Sequence, residues 1–419
     1  MRTQLEQIRS QFPALSRTLN GQPVAFFDGP AGSQVPRSVA DAVSKYLLTT
    51  NSNRGAANAT ACESDELLES AHQIFADFVG APNPESICFG ANMTTTTLAV
   101  SRALAREWKS GDEIIVSRLD HDANVTPWVL AARDAGVNVH HIELNPDDWT
   151  LNLDDFRSKL SDRTKLVAVG YASNATGTIN PVKEIVAAAR NAGALTYIDA
   201  VHYAPHGRID VIDLNCDFLA CSAYKFFGPH VGILYGRLDL LASIAPYKLR
   251  PSTNLLPGRW MTGTQNHEGI VGAAVAVDYL ASLGAESGQD GCNDSSDSSR
   301  RRQLDWAFSR IKDYELELSG EFLEGVATIP KLSVHGITDM ERLSSRVPTF
   351  SMTHETHSTG RMANDLASEG IFAWAGNHYA LPFTEAAGLE PDGTLRIGAL
   401  HYNSSEEIQR LLKCLRRIS

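Results

Sequence analysis

From about residue 65 to residue 240 the chain alternates short apolar runs with stretches of helical period. The runs at 86–89, 113–117, 137–143, 165–171, 195–199, 218–222 and 232–235 read as strands. Segments such as 94–108, 127–134 and 182–191 lie between them and read as helices. Near-continuously apolar strands separated by helices predict βαβ units and a mostly parallel sheet covered on both faces. In such a sheet the chemistry collects beyond the C-terminal strand ends. Asn92, His121, Asn174, Asp199 and Ser222 all fall at such ends.

Residues 284–303 break the pattern. They are too polar and too rich in Gly and Ser to pack, and they predict an exposed, mobile loop. The loop divides a large domain, 26–283, from a smaller C-terminal domain, 304–419, with strand-like 349–352 and 395–397. Residues 1–25 are assigned to the small domain. A last helix at 405–416 starts where Ser404 and Ser405 precede Glu, an N-cap pattern. A chain of 419 residues is too long for one ordinary core, which agrees with two domains.

Charge and cysteines narrow the function classes. A net charge of −12 argues against nucleic acid or an anionic membrane as partner, because both need a basic footprint. The first ten residues have no apolar core of the signal-peptide kind, and no run of 18 or more apolar residues is present. The six cysteines are scattered without a C-x-x-C pair, which points to a reducing, cytoplasmic setting.

The most informative stretch is Phe218-Leu-Ala-Cys-Ser-Ala-Tyr-Lys-Phe-Phe-Gly-Pro-His-Val-Gly. It sets Lys225 between two apolar strands, an awkward place for an unpaired ammonium. A strand-end lysine ordinarily snorkels to solvent. Here Ser222 precedes it as a possible phosphate donor, and Gly228 and Gly232 permit close backbone approach. Asp199 closes the apolar run 195–199, and a partly buried carboxylate needs a cationic partner. A pyridinium N–H is one such partner. A metal is another, since Asp199, His202 and His206 have ligand-type spacing that His121 and Asp122 could join. The strand–turn–helix at Ile87-Cys-Phe-Gly-Ala-Asn-Met offers Ala91, Asn92 and Met93 amides at a positive helix end, a seat for phosphate. The glycine patterns for nucleoside triphosphates and dinucleotides are missing. His121 is placed to stack on a flat ring, and Asn174 to donate to a phenolate oxygen, although either residue alone serves turns more often than chemistry.

In combination these segments resemble the class V aminotransferases, and within them the cysteine desulfurase and selenocysteine lyase branch. The matching motifs are Asp-His-Asp-Ala-Asn-Val-Thr-Pro-Trp (120–128), Ser-Asn-Ala-Thr-Gly-Thr-Ile-Asn-Pro (173–181), Asp-Ala-Val-His (199–202), Ser-Ala-Tyr-Lys (222–225), Thr-Gly-Thr-Gln-Asn (262–266) and Leu-Arg-Ile-Gly-Ala-Leu-His-Tyr-Asn (395–403). The likeness runs from Phe27 to the His401 segment. It implies fold type I of the pyridoxal 5'-phosphate (PLP) enzymes, with a seven-stranded, mostly parallel sheet and a small α+β domain. It also implies that Lys225 carries PLP covalently and shuttles protons, that Asp199 pairs with the pyridine nitrogen and that His121 stacks on the ring. Asn174 and His202 would lie near the phenolic oxygen, and Ala91, Asn92 and Ser222 at the phosphate. Thr264 would reach the phosphate site of a neighbouring subunit in a homodimer with shared active sites. Arg396 would clamp a substrate α-carboxylate, a bidentate task suited to guanidinium, with Ala31 and Tyr379 beside the substrate.

The chain departs from that pattern in three places. Tyr224 precedes the lysine where the family usually has His. Trp374 stands where an arginine is often found. Tyr379 takes the place of the mobile, nucleophilic cysteine of desulfurases, and a phenol cannot accept sulfur as a persulfide. Cys292, in the polar loop, would reach the site only if that loop swung across it. PLP chemistry on a small amino acid is therefore expected, with β-elimination from cysteine or an S-substituted cysteine favoured. True desulfuration through another cysteine follows, then epimerisation or transamination. A metal-dependent hydrolase is the alternative from another class, and a degenerate binding protein is disfavoured by the intact Lys225, Asp199 and Arg396.

Overall fold

The computed structural model describes residues 1–285 and 299–419. Seven strands form the central sheet: β1 (Ile87–Gly90), β2 (Glu113–Ser117), β3 (Asn138–Ile142), β4 (Thr164–Gly170), β5 (Leu195–Asp199), β6 (Phe218–Ser222) and β7 (Gly232–Gly236). Their spatial order is β1-β7-β6-β5-β4-β2-β3. Every pairing is parallel except those of β7, which runs antiparallel to β1 and β6. The exception has a local cause: β6 and β7 are joined by only nine residues, 223–231, too few for a crossover helix.

The sheet is apolar on both faces, as a covered parallel sheet must be. Residues of β2, β6 and β7 are buried throughout. One face packs on α1 (Ala59–Val79), α4 (Val182–Asn191) and α5 (His267–Ala285), the other on α2 (Met93–Ala105) and α3 (Thr126–Ala135). Helix α5 is long and apolar enough to cross a bilayer by composition, yet it is largely buried within the domain and packs on α1 and α6 (Ser299–Val326).

A second, four-stranded antiparallel sheet builds the smaller body. Its strands are β8 (Leu332–His335), β9 (Thr349–His354), β10 (Trp374–Gly376) and β11 (Thr394–Gly398), ordered β8-β9-β11-β10. Its core takes Leu318, Phe322, Phe350, Met352 and Ile397, together with Leu411 and Leu415 of α7 (Ser405–Ile418). Ser404 caps α7 in a reciprocal box with Glu407. The N-terminal segment is divided between the bodies rather than joining the small one alone: residues 25–26 pair in parallel with 371–372 and Leu5 packs on the small core, while Ile8, Phe12 and Leu15 pack into the large core.

Two further expectations need correction. Of the stretch expected as a mobile loop, residues 284–285 end α5 and residues 299–303 begin α6; 286–298 lie outside the described residues. Helix α6 also ignores a boundary at 304. Its Leu304, Phe308 and Ile311 belong to the large core and its Tyr314, Leu318 and Phe322 to the small one. Short-range polarity could not reveal a continuous apolar stripe beginning among arginines.

The two bodies meet at the turn after β4. Buried Arg346 donates to the carbonyls of Thr176, Ile337 and Thr349 and lies over the Phe350 ring at 4.2 Å. Gly177 adopts φ +76°, and a Cβ there would collide with the carbonyl oxygens of Thr349 and Val347. The Gly177→Ala variant should therefore lose about 2–4 kcal/mol of stability. A wild-type urea midpoint in that variant would show that the junction can yield.

Candidate active site

Lys225 follows β6 and Asp199 ends β5, the adjacent parallel strand, where Asp199 pairs in register with Ala220. Both side chains are buried. The Lys225 Nζ donates to the carbonyl of Pro30 and stands 4.9 Å from the centre of the Tyr224 ring. Burial pulls the ammonium down to about 7, aided by Arg396 and opposed by Asp199. Burial pushes the Asp199 carboxyl up to about 7, with the Val201 amide and Lys225 opposing. A low-dielectric strand end thus holds a near-neutral amine beside a carboxyl that a cation would ionise.

These residues line a cleft of about 560 Å³, open to solvent, together with Asn92, Met93, Thr94, His121, Asn174, His202 and Ser222. The phosphate seat differs in detail from expectation. The Met93 amide is not free: it donates to Ser222 Oγ at 3.0 Å. The Asn92 side chain caps α2 by accepting from the Thr95 amide at 2.8 Å, so Asn92 offers its backbone to the cleft. Ala91 sits one residue earlier in the same turn. Gly232 of β7 touches this turn so closely that a Cβ would overlap the Asn92 backbone. Helix N-terminus, hydroxyl and glycine contact together suit a phosphate.

His121 is held by a network of residues that the sequence reading passed over. Buried Asp120 accepts from Ser117 and, at 2.6 Å, from the Asn124 amide, whose oxygen accepts from Trp128 Nε1 at 3.1 Å. His121 Nδ1 accepts from the Ala123 amide at 3.0 Å, so the neutral ring carries its proton on Nε2. Burial, then the Lys225 and Arg396 charges, lowers its pKa to about 4. His202 Nε2 meets Thr349 Oγ1 at 3.0 Å. His206 turns instead to Glu315, at 2.8 Å, so Asp199, His202 and His206 do not converge; no metal-binding cluster of three His, Cys, Asp or Glu is present among the described residues.

Asn174 links the two bodies. Its Nδ2 donates to the His378 carbonyl at 2.8 Å, its own carbonyl accepts from Arg396 at 2.9 Å, and its Oδ1 is buried without a partner. Arg396 is buried on β11 and remains a cation, although burial lowers its pKa to about 10. Asp28, another residue missed in the sequence, lies near it with Oδ1 buried and unpartnered and its carboxyl pushed up to about 6 by burial. A charged residue ending the apolar run 24–27 was the available signal. Arg396, Lys225 and His121 open onto a second cleft of about 880 Å³, shared with Ala31, Tyr224, Trp374, His378 and Tyr379. Tyr379 stacks on His121 with ring centres 5.4 Å apart, and its carbonyl accepts from the Asp122 amide at 2.7 Å. His378 and Tyr379 both have left-handed backbone, φ +56° and +58°, a strained pair for non-glycine residues. Thr264 is not brought to Lys225: it lines a separate cleft with Asn53, Arg54, His72 and Gln265.

Four of the five described cysteines are buried, and none lines either cleft around Lys225. Burial raises the thiols of Cys88 and Cys216 to about 12 and pushes Cys221 up further. Cys292 lies outside the described residues.

The family profile described as Aminotransferase class-V matches residues 25–294 and 302–411. A cysteine desulfurase of Pectobacterium atrosepticum is 31% identical over 431 residues, covering 99% of this chain and 98% of that protein. A probable cysteine desulfurase of Vibrio cholerae is 31% identical, covering 100% and 99%. Among solved structures, the apo cysteine desulfurase from Thermococcus onnurineus superposes with a TM-score of 0.87 at 26% identity, covering 99% of this chain and 97% of that one. The S-sulfonic acid form of the cysteine desulfurase CsdA from Escherichia coli gives 0.82 at 25% identity, covering 99% and 98%.

The raised carboxyls generate a pH prediction. In the unfolded chain Asp199 titrates near 4, in the folded protein near 7. Its contribution to stability is therefore full below about pH 4 and is lost as pH rises through about 7. Asp199→Asn should accordingly gain stability relative to wild type as the cofactor-free protein is taken from pH 4.5 to 7. Urea midpoints of the two proteins that keep a constant separation over that range would contradict it.

Proposed function

The chain belongs to the aminotransferase class-V family as a PLP-dependent enzyme of the cysteine desulfurase-like branch, and from that premise we propose that it is a C–S lyase. It would cleave cysteine or an S-substituted cysteine by β-elimination without a persulfide-forming cysteine. The observation that carries this reading is the geometry around Lys225. A near-neutral amine and an aspartate are buried together, Arg396 lies across the cleft, and Tyr379 occupies its mouth.

The residues present fit PLP: Asp199 for the ring nitrogen, His121 for the ring face, Asn174 and His202 for the phenolic oxygen, and the Asn92 backbone with Ser222 for the phosphate. The bound cofactor supplies an electron sink for negative charge at the substrate Cα. Arg396 orients the amino acid by its α-carboxylate, which sets the Cα–H toward Lys225. The Lys225 amine, held near neutrality by burial, takes that proton at Nζ. Tyr379 donates a proton to the departing sulfur. In sum the Cα–H and Cβ–S bonds break, the thiol leaves with a proton, and water converts the remainder to pyruvate and ammonium with no net oxidation.

Tyr379 favours elimination over desulfuration, since it lies at the cleft mouth where a phenol can give a proton but hold no sulfur. The second reading, true desulfuration, stays attached to Cys292. We further read the enzyme as a homodimer. Leu47, Leu48, Leu249 and Leu255 are exposed in the two segments that run into Asn53, Arg54, Ser252 and Thr253 of the Thr264 cleft, and exposed apolar side chains of this kind mark interfaces. The free cysteines fit a cytoplasmic setting.

Replacing the exposed Cys62 and also Cys292 by Ser should leave pyruvate release intact, and mass spectrometry after incubation with cysteine should find no protein persulfide. A persulfide on Cys292, with activity lost in Cys292→Ser alone, would establish desulfuration instead. Arg396→Ala should raise KM by a factor equivalent to about 2–5 kcal/mol. An unchanged KM would place the substrate carboxylate elsewhere.

A further inference from the structure

The wall of the second cleft carries information about the leaving group. Trp374 on β10 pairs in register with Arg396 on β11. Directly opposed residues of an antiparallel pair project from the same face with Cβ atoms about 5 Å apart. The indole therefore rises beside the guanidinium that receives the α-carboxylate. It is 55% exposed, and Tyr379 across the mouth is 71% exposed. The Tyr379 ring is stacked on His121, whereas no ring or cation covers the Trp374 indole among the described residues. Tyr224 adds a third aromatic wall, stacked on His230 at 5.0 Å. The cleft of about 880 Å³ has cations at its base, Lys225 and Arg396, and no carboxylate in its lining.

Such a lining is poorly matched to cysteine, whose single thiol would leave the aromatic walls in water. It matches an amino acid with a flat, apolar group beyond the sulfur, which removes that surface from solvent. We propose that the substrates are S-aryl or S-benzyl-type conjugates of cysteine, and that Trp374 is the residue selecting the bulky S-substituent. This rests on the C–S lyase reading for the reaction but not for the binding preference. The reaction is the same balanced elimination, releasing the aromatic thiol, pyruvate and ammonium.

Two sulfur-free analogues separate binding from chemistry. In 2-amino-5-phenylpentanoate a methylene replaces the sulfur of S-benzyl-cysteine, and 2-aminopentanoate bears the same relation to S-methyl-cysteine. Neither has a leaving group, and their dissociation constants follow from the change in cofactor absorbance of the holoenzyme. The phenyl compound should bind wild type about tenfold tighter or more. That preference should fall to within about threefold in Trp374→Ala and likewise in Trp374→Arg. The second variant keeps a long side chain at this edge position should the first fold poorly. Equal affinities in wild type, or a preference unchanged in both variants, would overturn the proposal. Pyruvate and thiol release from S-benzyl-cysteine is then measured separately. Selective binding without release would defeat the lyase reading while leaving the assignment of Trp374 intact.

Discussion

The structure depends on burying two opposite charges at neighbouring strand ends. Lys225 and Asp199 sit where β6 and β5 finish, side by side in a parallel sheet, and the surrounding side chains exclude water from both. Isolated, either charge would be costly there, and each responds by moving toward its neutral form. The same strain makes the site useful. A near-neutral amine can exchange protons near pH 7, and a carboxyl waiting for a cation can hold a pyridinium. The stability spent here is recovered from the strands themselves, whose apolar residues on both faces form the two layers of the large core.

The small body supplies the other half of the site. Arg396 reaches in from β11, its Nη1 on the Asn174 carbonyl, while the Asn174 amide holds the His378 carbonyl. One asparagine thus fixes both Arg396, the proposed carboxylate clamp, and the loop that carries Tyr379. That loop keeps two consecutive residues in left-handed backbone, and its hold on Asp122 is the kind of contact that sustains such strain. Arg346 and Gly177 press the two bodies together a few residues away.

Much of this was legible in the sequence because it is local. The strands at 113–117, 195–199 and 218–222 and the helix at 182–191 were placed to the residue, since each is an uninterrupted apolar or periodic run between turn signals. Lys225, Asp199 and His121 stood out by falling at or just past the ends of such runs. What escaped was set by distant partners. The Met93 amide looked free until Ser222, 129 positions later, was seen to accept from it. The His206–Glu315 pair spans 109 positions, and its closure dissolves the ligand-type spacing that had suggested a metal. Asp28 gains its raised pKa from burial, and it bridges to Gly398 near the far end of the chain. The start of α6 was hidden because its first turn is polar, and the helix is held by distant partners, packing on α5, α1 and α7.

The central claim is that Lys225 is the residue to which the cofactor is joined. It is tested most directly by reducing the purified holoenzyme with borohydride, digesting it and locating the added pyridoxyl mass by mass spectrometry. The account predicts that mass on the peptide containing Lys225 and on no other lysine. A pyridoxyl group on a different lysine, with Lys225 unmodified, would contradict it.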